Sequence, residues 1–249
     1  MNLSNLGGRF PQLFLGLAVV SAGLVAGAGA LREGLKARSH QDMITVTGSA
    51  RRTIVSDTIV WRASITSTQT TPADASKELG AWIGRLQSFL RGAGAADGEV
   101  RLEPVSTETI PQLGPEGRTE TGRVGGYKLT RSFEVRSSRV REITDIVQKS
   151  SALLTEGIPL TAQPPQYLYA QLPQIRPELL ADASRDAKTR GERLVAAAGG
   201  QLGRLQSVSA GVFQITAPGS TDTSGGGVYD TSTIDKDVTA VVNLTFAMR

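Results

Sequence analysis

Hydrophobic residues are concentrated first in one long run near the N-terminus, residues 10–31, which contains no charged residue. A run of about 20 residues suits a membrane-spanning helix, whereas the apolar region of a signal peptide is usually about 7–15 residues long. The Ala-Gly-Ala triplets at 26–28 and 28–30 also fit the small-residue pattern that signal peptidase cleaves. Length favours an uncleaved signal-anchor over a cleaved signal peptide, and both alternatives carry the remaining chain out of the cytoplasm.

Alternation of apolar and polar residues predicts strands in the remaining chain. Within 58–70, apolar residues such as Ile59 and Trp61 share one face and polar residues such as Arg62 share the other, which is typical of a half-buried strand. The same pattern predicts strands at 43–48, 100–110, 127–136, 205–215 and 238–246, and an extended segment at 158–170.

Helical spacing follows the strand at 58–70. The apolar stripe consists of Leu79, Trp82, Ile83, Leu86, Phe89 and Leu90. Thr71 is placed to cap this helix, Pro72 suits its first turn, and Gly92 and Gly94 supply the stop. A second helix is predicted at 139–154. A third begins at Pro177 and ends at Gly199-Gly200, with an apolar face of Leu180, Ala183, Ala187, Leu194 and Ala198.

Two polar segments, 111–126 and 216–235, read as long loops because glycine, proline, serine and threonine dominate them. The mixture of short and helix-length connections predicts an α+β fold, with an antiparallel-rich sheet covered by helices on one face. The expected organisation is a transmembrane or signal segment at 1–31, a linker at 32–42 and a folded domain at 43–249.

Composition narrows the classes of protein to which the chain can belong. The absence of cysteine excludes disulfides and a lipid-modified cysteine, and with a single histidine it argues against structural zinc. The net charge of +4 is spread over interspersed charges, and the 12 aromatic residues do not interleave with a basic run. Nucleic-acid binding is therefore not expected.

Candidate chemistry is sparse. His40 is the only histidine and lies in the predicted linker, a poor position for a preorganised catalytic base. The glycines at 92–94 follow a helix rather than open one, so they do not form a dinucleotide-binding loop. We therefore predict no catalytic, cofactor-binding or metal-binding residue. Tyr167 and Tyr169 alternate between prolines, which suits an edge strand that could contact another subunit.

The ordered set of segments resembles the SIMPL-domain (DUF541) family. The resemblance rests on the opening segment at 44–50, on Asp57-Thr58, on Gly126-Tyr127 and on an alanine-rich helix. In that helix and just after it, the matching residues are Ala181, Asp182, Ala183, Asp186, Ala187, Arg190, Arg193, Leu194, Ala197, Gly200, Leu202 and Gly203. The resemblance covers residues 43–249.

The resemblance implies a bacterial cell-envelope protein with an α+β fold and no established catalytic residues. Some members of the family, similar to the periplasmic immunogenic protein of Brucella type, assemble into large homo-oligomers. We therefore expect a non-enzymatic protein, held in the membrane by residues 10–31, whose folded domain lies in the periplasm and self-assembles, with a role in envelope integrity or stress tolerance. If the leader is cleaved, the protein would be released into the periplasm. The alternative is an envelope binding module that recognises a protein partner or small ligand through 111–126 and 216–235.

Overall fold

A computed structural model of the protein describes residues 42–114 and 120–249. The apolar segment at 10–31, the linker up to residue 41 and His40 lie outside the described residues, so the expectations for them stay predictions. Among the residues that the structure describes, no helix is long and apolar enough to cross a membrane.

The described chain alternates strands and helices, and the predicted α+β class is confirmed. The strands are β1 (Met43–Val55), β2 (Thr58–Gln69), β3 (Val100–Leu113), β4 (Glu120–Ser137), β5 (Leu160–Ala162), β6 (Gln166–Leu168), β7 (Leu202–Ala210), β8 (Gln214–Thr216), β9 (Val228–Tyr229) and β10 (Asp235–Met248). The helices are α1 (Pro72–Gly92), α2 (Val140–Lys149), α3 (Ala152–Thr155) and α4 (Leu172–Ala197), with a 3₁₀ turn at Asp97–Glu99.

The strands form two five-stranded sheets that are rich in antiparallel pairs. In the first sheet the order is β1-β10-β8-β9, with β7 also paired to β10, and β8 and β9 run parallel. In the second sheet the order is β3-β4-β2-β5, with β6 also paired to β2. The pairs of β2 with β4, β5 and β6 are antiparallel, which agrees with the predicted antiparallel-rich character, although the strands form two sheets and not one.

The chain divides into two compact units. The large unit contains residues 49–184 and 210–242, and the small unit contains the described residues up to Gly48 together with 185–209 and 243–249. The boundaries fall inside β1, α4, β7 and β10, so each of these elements contributes to both units.

The core of the large unit combines the apolar face of β2 and β4 with α1 and α2. Ile59, Trp61 and Ile65 of β2 are fully buried, and Phe133 of β4 is 1% exposed. Trp61 packs edge-to-face on Phe133, with the ring centroids 5.3 Å apart. The helices complete the same cluster with Leu79, Ile83, Leu86, Leu90, Ile143 and Ile146. Trp61 and Phe133 therefore anchor the side of the sheet that the helices cover.

The small unit joins the two ends of the described chain. Thr45 Oγ1 and Thr245 Oγ1 lie 2.9 Å apart, and the Met248 N–H donates to the Asp42 carbonyl at 2.7 Å. The part of α4 that belongs to this unit buries Ala187, Gly191 and Val195. These small residues follow each other at intervals of four, so they form one ridge along the helix.

The start of α1 agrees with the sequence in detail. Thr71 Oγ1 accepts a hydrogen bond from the Asp74 N–H at 3.2 Å, and Pro72 is the first helical residue. Local cap chemistry and an apolar stripe were sufficient to predict this helix.

The prediction for α4 was wrong in its start and only partly correct in its buried face, since Ala183 and Ala187 are fully buried as predicted but Leu194 and Ala198 are exposed. The helix begins at Leu172 and runs through Pro177, which lacks the N–H that would bond to the carbonyl of Pro173. Leu179 and Ala183 are buried, whereas Leu194 is 56% exposed. Proline is tolerated near the start of a helix, and the sequence reading therefore placed the boundary at Pro177, about one and a half turns too late.

The predicted loop at 111–126 was also wrong for the residues that the structure describes. β3 continues to Leu113 and β4 begins at Glu120. The pairing is irregular, with register shifts between Ile110 and Leu113. A Cβ on Gly125 would lie 3.0 Å from the Gln112 Cα, so glycine permits the close approach of the two strands there. The glycines that signalled a loop thus mark bulges inside a hairpin.

Two other extended predictions were too coarse. The segment at 158–170 contains the separate strands β5 and β6, and the strand predicted at 205–215 is interrupted between β7 and β8. The predicted loop at 216–235 contains the short strand β9.

Candidate functional site

The outer edge of the second sheet is formed by β3, whose central residues 105–110 we call the β3 edge. β3 is the first strand in its sheet and pairs on one side only, with β4. Residues 105–109 are exposed, including Val105 at 44%. Free backbone N–H and C=O groups along such an edge are a template for pairing with another strand.

Prolines bound the β3 edge on both sides. Pro104 lies in a bulge, because Leu102 pairs with Phe133 while Val105 pairs with Arg131. The Arg131 guanidinium donates to the Glu103 carbonyl at 3.1 Å and so stabilises the bulge. Pro111 follows the segment at its other end. Since proline has no N–H to donate, pairing with another strand is limited to the six residues between the two prolines.

Beyond the end of β2, the hairpin projects as a two-stranded ribbon, residues 111–113 and 120–126. The pairing of β2 with β4 ends at Gln69 and Tyr127, so both edges of the ribbon are open among the described residues. Leu113 and Val124 are each 51% exposed. An isolated two-stranded ribbon is only marginally stable in water, and exposed apolar side chains on it favour a partner.

A second candidate site is a groove within the large unit, which we call the Arg176 groove. It is lined by Arg176, Val212, Phe213, Ile215, Gly226, Gly227, Val228 and Tyr229, and its volume is about 380 Å³. The Arg176 guanidinium carbon lies 5.4 Å from the centre of the Phe213 ring, a cation–π arrangement. Apolar walls with one cation at the margin are typical of a site for an anionic ligand with an apolar body.

The carboxylates nearest to Arg176 along the chain and around the groove have other partners. Glu178 accepts from the Arg52 guanidinium at 2.8 Å. Asp230, next to the lining residue Tyr229, accepts from Ser232 Oγ at 2.6 Å and from the buried Lys236 ammonium at 3.0 Å. Among the described residues, Arg176 therefore has an aromatic neighbour but no carboxylate that neutralises it.

The Asp230 carboxylate fixes the turn that leads from β9 to β10. Burial by itself would raise the pKa of Asp230, but hydrogen bonds from Ser232 and Thr233 and the Lys236 ammonium outweigh burial, so its pKa lies below the usual range. Lys236 also donates to the Asp230 carbonyl at 2.7 Å. The buried ion pair thus holds β9 in place beside the groove.

Asp237 ties the loop after β8 to β1. The Arg51 guanidinium and Thr53 Oγ1 donate to its carboxylate, Thr53 at 2.7 Å, and the Gly219 N–H donates at 3.3 Å. The hydrogen bonds from Arg51 and Thr53 lower the pKa of Asp237. The segment predicted as a long loop, 216–235, is therefore held near its start by the contact between Gly219 and Asp237.

Glu99 forms a third contact of opposite charges, which is partly buried, at the start of β3. Its carboxylate accepts from the Arg139 guanidinium, from Ser137 Oγ at 2.5 Å and from the Ala96 N–H at 2.9 Å. The hydrogen bond from Arg139 contributes most to lowering the pKa of Glu99 to about 2, against the opposing effect of burial. The carboxylate is ionised at neutral pH and acts as a structural tie, because the donors around it belong to the fold.

The described residues contain no group of three or more histidine, cysteine, aspartate or glutamate side chains placed to hold a metal ion. A cavity of about 260 Å³ lies beside Leu90 and Leu102, and one of about 180 Å³ lies beside the ion pair of Arg62 and Glu134.

The two tyrosines singled out in the sequence occupy different environments. Tyr167 is 8% exposed and belongs to the core of the large unit, where its hydroxyl lies 3.2 Å from Thr144 Oγ1. Tyr169 is half-buried. Burial favours a core role for Tyr167, and a subunit contact through either tyrosine stays a prediction.

Sequence reasoning missed the Arg176 groove. Arg176 and Phe213 come together only through the tertiary fold, and neither lies in a recognisable motif. The only local signal is the glycine run at 225–227 followed by two apolar residues, a pattern that is also typical of a loop.

The sequence model of SIMPL, described as a protein of unknown function (DUF541), matches residues 44–246. The chain therefore belongs to the SIMPL (DUF541) family. No curated protein matches the chain.

The solved structures that are weakly similar to the chain include the following two. One is an amidase of the hydantoinase/carbamoylase family from Burkholderia phymatum, with 19% identity, a TM-score of 0.28, and coverage of 52% of this chain and 34% of that one. The other is a putative amidohydrolase/peptidase from Burkholderia cenocepacia, with 17% identity, a TM-score of 0.18, and coverage of 59% of this chain and 36% of that one. The chain spans about a third of the length of these proteins, and their activities are not carried over to it.

Proposed function

We propose that this SIMPL-domain protein is a non-enzymatic component of the bacterial envelope, anchored by residues 10–31, that self-assembles through the β3 edge and the ribbon. The apolar run supports the anchor, because its length matches the hydrocarbon core of a bilayer. One observation supports self-assembly: the long edge strand β3 is exposed, and in the isolated chain it has no partner strand on the side away from β4.

The β3 edge is suited to pairing with a second copy of itself. Between Pro104 and Pro111, its only charged residue is Glu108, and Lys128 on β4 lies 3.1 Å from that carboxylate. Two copies aligned antiparallel would therefore not bring uncompensated charges together. Pairing of this kind is isologous, since the same six residues are used on both sides.

Contacts through the ribbon would allow an assembly larger than a dimer. β4 residues 120–126 have an open edge on the side away from β3, so the hairpin offers two different edges. Contacts that use one edge of each copy against the other edge of the next copy are heterologous, and they generate rings when the rotation closes. Exposed Leu113 and Val124 would be covered in such contacts.

The proposal is tested with the full chain in detergent by light scattering. We expect the native protein to have a mass several times that of the 26.2 kDa chain. The double substitution Val105→Lys and Thr107→Lys should shift the mass towards the monomer, because charged side chains on an edge strand oppose pairing. Both residues are exposed, so the fold itself should tolerate the change.

The matched control is Val105→Thr with Thr107→Ser, which alters the same positions without adding charge and should leave the assembly intact. A monomeric native protein at micromolar concentration would contradict self-assembly. An oligomer whose mass is unchanged in the lysine variant would show that assembly uses another surface.

A further inference from the structure

We propose that the Arg176 groove binds the free C-terminal carboxylate and apolar last side chain of an extended peptide. The inference is independent of self-assembly, since it uses no residue of the β3 edge or the ribbon. The alternative function is ligand recognition through 111–126 and 216–235. The proposed site takes up part of the second segment, 226–229, and its ligand is a peptide carboxylate.

The first support is charge. The Arg176 guanidinium carbon lies 5.4 Å from the centre of the Phe213 ring, and no described carboxylate pairs with the guanidinium. A cation–π contact does not use the N–H groups as hydrogen-bond donors to an anion, so the guanidinium keeps the paired donors that match the two oxygens of a carboxylate. An aromatic platform also restricts the rotamers of the arginine, so less entropy is lost when an anion binds.

The second support is the shape and lining of the groove. A volume of about 380 Å³ lies within the roughly 300–1,000 Å³ that is usual for ligand sites. Val212 is 42% exposed and Tyr229 is 50% exposed, and both line the groove. Large apolar side chains held open to solvent beside a cation form a surface that an apolar group can cover.

The third support is an open strand edge along the groove. β9, which contributes Val228 and Tyr229, is the last strand of its sheet and pairs with β8 on one side only. An extended peptide can bind beside such an edge by strand addition, with backbone hydrogen bonds supplying affinity and a pocket supplying selectivity. Gly226 and Gly227 immediately precede β9 and carry no side chains that would obstruct the peptide.

The surrounding network keeps this edge in place. Asp230, one residue after β9, binds Lys236, Ser232 and Thr233, and the Asp230 N–H donates to the Ile215 carbonyl at 2.8 Å. These contacts and the pairing with β8 fix the position of β9, while the other edge of β9 has no partner strand. A preorganised edge reduces the ordering cost of binding.

The experiment uses the full chain in detergent and a dye-labelled hexapeptide that ends in leucine with a free carboxylate, and binding is measured by fluorescence anisotropy. The same peptide with a C-terminal amide should bind at least about tenfold more weakly, because it cannot form the paired charge with Arg176. Arg176→Gln should weaken binding of the free carboxylate by a similar factor and leave binding of the amide unchanged.

Two further variants separate the groove from general charge effects. Arg193→Gln changes an exposed arginine on the same helix and should leave binding unchanged. Val212→Trp should fill the groove and weaken both peptides. Light scattering of each variant reports assembly separately, so loss of binding and loss of assembly can be told apart.

Three outcomes would overturn the inference. One is absence of peptide binding by the native protein up to about millimolar concentration, which is the weak limit of specific binding. Another is equal affinity for the acid and the amide. The third is equally tight binding of 4-phenylbutyrate alone, which would mean that the groove takes small amphipathic anions and not peptide ends.

Discussion

A single carboxylate, that of Glu99, links the start of β3 to the residues before α2. Its side chain is 18% exposed and that of Arg139 is 39% exposed, so solvent screens the pair in part. Protonation removes the charge that Arg139, Ser137 and the Ala96 N–H all stabilise. The stability of the large unit should therefore depend on pH through this residue.

The direction of the pH effect follows from the lowered pKa. Glu99 has a pKa of about 2 in the folded state against 4.5 in the unfolded chain, so its contribution is complete above about pH 5 and is lost as the pH falls towards 2. The full shift corresponds to about 3 kcal/mol, and screening reduces our expectation to about 2 kcal/mol. Glu99→Gln should lower the free energy of unfolding by that amount at pH 7 and by almost nothing near pH 2, as measured by urea titration.

Glu156→Gln is the matched control for this prediction, because Glu156 lies outside the β3 edge and the ribbon. Glu156 pairs with Arg85 at 2.6 Å on an exposed surface, and such pairs contribute about 0–1 kcal/mol. Its loss should change stability little at any pH. If native protein and the Glu99→Gln variant followed the same pH profile, the tie through Arg139 would not contribute to stability.

At the scale of elements, β7 lies very close to β10 within the small unit. A Cβ on Gly203 would lie 2.6 Å from the Ala247 carbonyl oxygen and 3.2 Å from the Ala247 Cβ. Because the first contact is with backbone, Gly203→Ala must push the strands apart. We expect a loss of about 1–3 kcal/mol in the free energy of unfolding, the usual cost of overpacking.

The same substitution at Gly84 should have the opposite sign. Gly84 lies inside α1, and a Cβ there would meet no atom within 4 Å. Alanine has the higher helix propensity by about 1 kcal/mol, so Gly84→Ala should raise the midpoint of thermal unfolding. A destabilised Gly84→Ala variant, or an unchanged Gly203→Ala variant, would contradict these packing distances.

These elements also show what sequence reasoning can and cannot reach. The start of α1 was predictable because Thr71, Pro72 and Asp74 act within one turn. The paired hairpin tip was not predictable, because glycine is required at position 125 by its close approach to Gln112 on the neighbouring strand, and only the fold brings these two residues together. The Arg176 groove was not predictable for the same reason, since its lining residues are far apart in the sequence. The buried face of α4 was predicted correctly at Ala183 and Ala187 but not at Leu194, because the residues that cover this helix are far away in the sequence.

For the whole molecule, the fate of residues 10–31 determines where any assembly takes place. We expect the mature protein to keep its N-terminus and to remain with the membrane fraction after alkaline carbonate extraction, because the apolar run is long enough to span a bilayer. N-terminal sequencing of the purified mature protein tests this. A first residue at or near 29–31, with protein in the soluble fraction, would instead indicate cleavage at the Ala-Gly-Ala triplets.

The pairing of β1 with β10 has a consequence for biosynthesis. Thr45 and Thr245 are 200 residues apart in the chain, yet their hydroxyls lie 2.9 Å apart in the folded small unit. The first described strand leaves the ribosome long before its partner exists, and such distant contacts slow folding. β1 can therefore pair only after β10 has been synthesised. A chain that stopped before β10 would leave β1 unpaired, so the native state of the small unit requires synthesis to proceed through residue 248.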